Sequence, residues 1–174
     1  IIGGDTTSTK GPLTITVTAF GSVDQPALKR SNGEADTMIC VSGEIGWGWL
    51  GLQASLNASD VPQSIRGKAL RHYQTPEPRL ELGQALLHTK GVHAAMDISD
   101  GLIADCRHLA VASGLRAELV LADVPLALPQ GNAQQQVTGG DDYQLLFTCT
   151  QLAYDSLKSS YPSVTKIGSL VEGS

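Results

Sequence analysis

Three acidic segments hold the residues of this chain whose types and spacing could do chemistry: Gly3-Gly4-Asp5-Thr6-Thr7, Met96-Asp97-Ile98-Ser99-Asp100-Gly101-Leu102 and Gly139-Gly140-Asp141-Asp142-Tyr143-Gln144-Leu145-Leu146-Phe147. Each sets carboxylates beside glycine or a small hydroxyl residue, next to a run that reads as a strand or a helix start. Carboxylates and hydroxyls are hard oxygen donors suited to Mg²⁺, and glycine-rich backbone at a helix start offers N–H groups to phosphate. Brought together, the three segments would make an oxygen-rich pocket for metal and phosphate.

Each segment also has a plain structural reading. In the second, a strand ends near Ile98 and a helix begins near Asp100, where Ser and Asp are favoured caps and a carboxylate suits the positive end of the helix dipole. Capping accounts for one such residue well and for three in four positions poorly, so capping and ligand binding both stand. The alternating ligands and closing glutamate of a calcium loop are absent. Gly3–Thr7 reads either as an ordinary turn or as a close approach to a charged group; no Walker A spacing occurs anywhere. At Gly139–Phe147 adjacent aspartates at the mouth of an apolar strand are costly unless they are solvated or paired with cations. Arg30, in Lys29-Arg30-Ser31-Asn32-Gly33, reads as a solvated charge, or as a phosphate clamp if the acidic segments converge on a nucleotide. Trp47 and Trp49 read as packing residues.

The elements that must position these segments follow from periodicity. Thr14–Phe20 alternates hydroxyl and apolar residues, the period-2 pattern of a half-buried strand. Gly21 through Glu34 is turn-rich and is the best place for a domain boundary. Strands are expected at Met38–Gly43, Val92–Ile98, Ala117–Leu121, Leu145–Cys149 and Val164–Leu170. Helices are expected from the Gly46–Leu52 stretch to about Ala58, and at Pro62–Tyr73, Arg79–Thr89, Asp100–Ser113 and Leu152–Ser160. Thr75-Pro76-Glu77-Pro78 must break the second helix from the third. The helix after Asp100 places Leu102, Cys106, Leu109 and Ala110 on one face. Gln134-Gln135-Gln136 alone hints at low complexity. The class is α/β, or α+β with a mixed sheet and helices.

Composition narrows the function. The 174 residues are 41% hydrophobic and 17% charged, as in a globular protein with one full core. A net charge of -5 without a Lys/Arg cluster argues against non-specific nucleic-acid binding. No apolar run approaches the roughly 20 residues of a membrane helix. Cys40, Cys106 and Cys149 are odd in number and far apart, which points to buried thiols in a cytoplasm-like compartment. The four histidines show no metal-ligand spacing.

Set side by side, the three segments resemble thiamine-monophosphate kinase, of the superfamily that includes aminoimidazole ribonucleotide synthetase. Gly11-Pro12-Leu13, Leu28–Asn32 and Val164–Gly173 add to the likeness, which spans almost the whole chain. The resemblance implies the C-terminal domain of the aminoimidazole ribonucleotide synthetase-like fold. It further implies ATP-dependent, Mg²⁺-assisted phosphorylation of thiamine monophosphate to thiamine diphosphate in the cytoplasm. Carried over by position, Asp5, Asp97 and Asp100 are expected to bind Mg²⁺, Gly4, Asp5, Arg30 and Ser99 to contact ATP, and Asp141 to contact the substrate. No residue is expected to act as general acid or base.

Two positions depart from the family: Gln144 stands where glutamate is common, and Trp47 where an aspartate often follows the glycine. Residues 1–21 correspond to the last strand of an otherwise missing N-terminal domain, and 22–174 to a C-terminal α/β domain incomplete at its end. The family's homodimer forms through that N-terminal domain. The piece by itself is therefore expected to be inactive and prone to self-association through an uncovered face around Ile15 and Val17. The other readings are a related ATP-dependent synthetase or hydrogenase-maturation relative, and a non-catalytic nucleotide-binding or assembly module of the same fold.

Overall fold

A computed structural model describes residues 1–57, 59 and 61–173. Its centre is a five-stranded sheet of β1 (Met38–Val41), β2 (Val92–Asp97), β3 (Arg116–Leu119), β4 (Leu145–Cys149) and β5 (Thr165–Val171), in the order β2-β4-β1-β5-β3. Every pairing between these strands is antiparallel. The α+β class is as expected, and the sheet is narrower in type than the mixed one anticipated. The one parallel contact is an isolated bridge between Ile45 and Leu126.

Strand periodicity sends alternate side chains to opposite faces, and helices cover both. Ile39, Val41, Leu146, Ile167 and Leu170 pack with Leu102, Cys106, Leu109 and Ala110 of α4 (Leu102–Ala112). Cys40, Phe147 and Cys149 face the other way, onto Leu82 and Leu86 of α3 (Leu80–His88) and Ala153 and Leu157 of α6 (Gln151–Ser160). All three cysteines are buried, and the Cys40 and Cys149 sulfurs lie 3.9 Å apart on neighbouring strands.

A third cluster joins α1 (Trp47–Ser55) to α2 (Gln63–Gln74) through Trp47, Leu50, Ala54 and Ala69. Trp47 is a packing residue as expected: its ring stacks on His72 with centroids 5.1 Å apart, and Lys68 Nζ sits 4.1 Å from the indole centroid.

Three local expectations change. Thr14–Phe20 forms no strand: residues 1–22 carry no helix or strand, and Leu13, Ile15, Val17 and Phe20 are exposed. An alternating pattern becomes a strand only where another strand satisfies its N–H and C=O groups, and neither sheet edge pairs with this segment. Helix α1 begins directly at Trp47 and ends at Ser55, and Ala58, the expected end, lies outside the described residues. The Gln134-Gln135-Gln136 run is part of a short helix, α5 (Ala133–Thr138), capped by the Asn132 side chain. Gln136 is fully buried because its amide bonds the N–H and the carbonyl of Leu128, both at 2.9 Å.

Candidate active site

Two of the three acidic segments meet at one end of the sheet. Strand β2 ends at Asp97 opposite Leu145 of β4, and the ladder runs on past both. Ile98 N–H donates to the Gln144 carbonyl at 2.8 Å, Tyr143 N–H to the Ile98 carbonyl at 2.8 Å, and Asp141 N–H to the Ser99 carbonyl at 3.0 Å. The register of a buried antiparallel pair therefore places Asp97–Asp100 alongside Asp141–Tyr143. Gly140 allows the approach, since a Cβ there would stand 2.3 Å from the Ser99 carbonyl oxygen.

Side-chain capping does not account for the second segment. The N-cap of α4 is Gly101, which makes no side-chain cap, and neither Ser99 nor Asp100 caps with its side chain. Asp105, in the first turn of α4 and 1% exposed, does that work in reverse. Its Oδ2 accepts the N–H groups of Ser99 at 2.9 Å and Asp100 at 3.0 Å. With the loop held from behind, the Asp97 and Asp100 carboxylates are exposed and have no hydrogen bond or ion pair among the described residues. Free hard-oxygen donors on two sides of Ser99 fit a hydrated Mg²⁺.

Asp141 is half-buried, and its Oδ1 accepts the Tyr143 hydroxyl at 3.0 Å. That bond, and then the negative charge of Asp141, partial burial and the charge of Asp97, raise the pKa of the Tyr143 hydroxyl above its usual value. Asp97, Asp141 and Tyr143 thus share one electrostatic neighbourhood. Beside Asp97 an apolar cavity of about 280 Å³ opens between α3 and the β2–β4 edge, lined by Leu28, Leu86, Leu87, Met96 and Leu145.

The adjacent aspartate at 142 is handled differently from expectation. It is neither solvated nor paired with a cation: it is 5% exposed and bonded to backbone N–H groups of Gly46 and Gly48. Burial pushes its carboxyl up to about 6, and the N–H donors oppose the shift.

The remaining expected residues lie apart. Gly4 and Asp5 are in the exposed leading segment, where nothing stands within 4 Å of a Cβ built on Gly4 and Asp5 Oδ1 accepts its neighbour's N–H, from Thr6. Arg30 docks its carbonyl on Ser113 Oγ at 3.0 Å, at the C-terminal end of α4. Asp100 stands at the other end of that 11-residue helix, roughly 16 Å away along the axis.

Two structural features go beyond the sequence reading. Asp105 looks like any acidic residue in a first helical turn until the fold shows what it holds. His108, one turn on, completes the one group of three possible metal ligands found among the described residues, with Asp100 and Asp105 within 4.8 Å of one another. One oxygen of Asp105, Oδ2, already accepts two N–H groups there.

The family described as AIR synthase related protein, C-terminal domain, matches residues 34–154. The chain belongs to that family. The thiamine-monophosphate kinase of Caulobacter vibrioides is 38% identical over 159 residues, which cover 84% of this chain and 44% of that protein. The thiamine-monophosphate kinase of Haemophilus influenzae is 38% identical over 167 residues, covering 91% of this chain and 49% of that protein. The chain thus spans about half the length of the curated relatives it matches. A solved structure described as AaThiL complexed with AMPPCP and TMP superposes with a TM-score of 0.73 at 28% identity, over 84% of this chain and 48% of that one. Both motif-bearing loops, Asp97–Gly101 and Gly139–Tyr143, lie inside the stretch matched to the AIR synthase related domain.

Proposed function

We propose that this chain is the C-terminal part of a thiamine-monophosphate kinase, transferring the γ-phosphoryl group of ATP to the phosphate of thiamine monophosphate. The observation that carries the proposal is the pairing of the Asp97–Asp100 loop with the Asp141–Tyr143 turn, which brings the three acidic residues Asp97, Asp100 and Asp141 to adjoining strand ends. The likeness to two curated kinases of that name, at 38% identity, supports the choice of substrate.

Asp97 and Asp100 would hold Mg²⁺, with Ser99 between them facing the nucleotide phosphates and Asp141 facing the acceptor molecule. The acceptor is a phosphate oxygen, ionised near neutral pH because a phosphate monoester's second pKa is about 6. No base is required to activate it, which fits a site built of carboxylates. The obstacle is repulsion between two anionic phosphates, and bound Mg²⁺ supplies the charge neutralisation. Asp5, Gly4 and Arg30 join this site in the proposal through segments that the 174-residue chain leaves apart. The chain alone is therefore proposed to be inactive, and the active form to be a cytoplasmic homodimer.

The test is formation of thiamine diphosphate from thiamine monophosphate and Mg²⁺–ATP, alongside calorimetric titration of each ligand. Binding of Mg²⁺–ATP that Asp97→Asn abolishes, with turnover absent, is the expected result. Turnover by the chain near that of a full-length relative would sink the inactivity, and Mg²⁺–ATP binding insensitive to Asp97 and Asp100 would sink the site.

A further inference from the structure

Asp142 sits between two residues whose backbone is left-handed, Asp141 at φ 64° and Tyr143 at φ 50°. Neither is glycine, and side-chain-bearing residues keep that conformation only where the surroundings impose it. Between them the Asp142 carboxylate is held from outside the turn. Its Oδ1 and Oδ2 stand 3.0 and 2.8 Å from the Gly46 nitrogen, its Oδ1 accepts Gly48 N–H at 2.9 Å, and Trp47 N–H also bonds it. These N–H groups open α1, where no intrahelical acceptor exists, and Gly46, the N-cap, offers no side chain of its own. A negative charge there also suits the helix dipole.

The fit leaves no slack. A Cβ on Gly48 would stand 2.2 Å from the Gly140 carbonyl oxygen and 2.5 Å from the Asp141 carbonyl carbon. Helix α1 is anchored in turn by the Trp47–His72 stack and by Trp47 Nε1 donating to Glu44 Oε2 at 2.8 Å. The turn is thus fastened on both sides: to α1 through Asp142, and to the Asp97–Gly101 loop through Asp141 N–H and Gly140.

We infer that Asp142 is a positioning residue, tying the Gly139–Tyr143 turn to the start of α1 so that the Asp141 carboxylate and the Tyr143 hydroxyl are presented beside Asp97. It touches neither metal nor substrate; it acts through Asp141. The functional meaning rests on the proposed substrate role of Asp141, while the clamp itself rests on geometry alone.

The experiment compares the chain with its Asp142→Asn variant, whose amide keeps one acceptor oxygen, loses the charge and sets an NH2 group against the Gly46 N–H. The readout is the alkaline titration of the Tyr143 hydroxyl by ultraviolet absorbance, isolated by subtracting the Tyr143→Phe variant. Release of the turn breaks the Tyr143–Asp141 bond, and the Tyr143 midpoint falls back toward about 10. A residue that only stabilises the fold lowers the melting temperature and leaves that midpoint raised, which overturns the inference. If Asp142→Asn does not fold, the wild-type chain decides by NMR: the Asp142 carboxyl and the Gly46 and Gly48 amides titrate with one midpoint if the clamp exists, and separate midpoints overturn it. Thiamine monophosphate titration distinguishes the two proposals. A Tyr143 shift together with wild-type binding that Asp141→Asn leaves unchanged upholds the clamp and sinks the substrate reading. Where the wild type binds, Asp142→Asn weakens affinity about tenfold, and unchanged affinity despite a lost Tyr143 shift refutes the positioning role.

Discussion

The peptide N–H of Asp141 donates to the carbonyl of Ser99 at 3.0 Å, joining two acidic loops that lie some forty residues apart in the chain. With Gly140 packed against the same carbonyl, this contact turns two motifs into one surface. Its consequences can be measured.

Gly140→Ala should part the two loops. The new methyl group would stand 2.3 Å from the Ser99 oxygen, and the backbone on either side has no room to yield cheaply. A loss of about 1–3 kcal/mol in urea unfolding is expected, with Mg²⁺–ATP affinity falling as well. Wild-type stability in this variant would show that the loops are not held together as described.

Asp97→Asn and Asp100→Asn should separate function from stability. Both carboxylates are exposed and unpartnered among the described residues, so unfolding free energy should stay within about 0.5 kcal/mol of wild type. Mg²⁺–ATP affinity measured by calorimetry should fall at least tenfold in each. Asp105→Asn is the contrasting case. It removes the charge from a buried acceptor of two N–H groups, and it should cost about 1–3 kcal/mol.

Stability should carry a pH signature from Asp142. Its carboxyl is pushed up to about 6 by burial, from an ordinary 3.8, so the folded state holds the proton over a range where the unfolded chain has released it. The contribution of this group is therefore largest below about pH 4 and declines as pH rises to about 6, by something on the order of 3 kcal/mol in total. Thermal unfolding of wild type and Asp142→Asn between pH 4 and 7 reads it as a difference. Wild type should gain on the variant as the pH falls, and parallel curves would contradict the buried carboxyl.

Gln144 offers a test of a family departure. Its Oε1 accepts the Ser42 hydroxyl at 2.6 Å and Arg79 Nε at 3.1 Å, and the side chain is 3% exposed. Gln144→Ala leaves both donors without their acceptor and should cost about 1–3 kcal/mol. Gln144→Glu keeps the acceptor and pairs it with the Arg79 guanidinium, so it should retain most of the stability in the same urea titration.

The leading segment should promote self-association. Leu13, Ile15, Val17 and Phe20 are each more than three-quarters exposed, exposed apolar side chains of the kind that seek a partner. Light scattering should show concentration-dependent association, relieved by replacing Ile15 and Val17 with aspartate. A monomer at all concentrations would contradict it.

Much of the fold is legible in local pattern. The α4 face of Leu102, Cys106, Leu109 and Ala110 packs on the sheet as its spacing requires, and Thr75–Pro78 separates α2 from α3. Thr14–Phe20 shows the limit: alternation states what a strand would bury, and only a partner strand makes one. Helix α5 is not legible in the sequence because its defining interaction, the Gln136 amide on Leu128, links a helix to a loop that periodicity does not describe.

For the site, the sequence by itself determined which residue types are available: carboxylates at 97, 100 and 141 flanked by glycine and serine, with no histidine base among them. It could not tell a helix cap from a ligand, nor a solvated aspartate from a buried one. Tertiary structure removed the cap from the first pair and decided the second. Asp105, reaching back from α4, frees Ser99 and Asp100 from capping. Asp142, turned inward onto α1, leaves Asp141 as the outward member of an otherwise indistinguishable pair. The reason is physical: a carboxylate's role is set by the donors around it, and here those donors are backbone N–H groups brought by other segments of the chain.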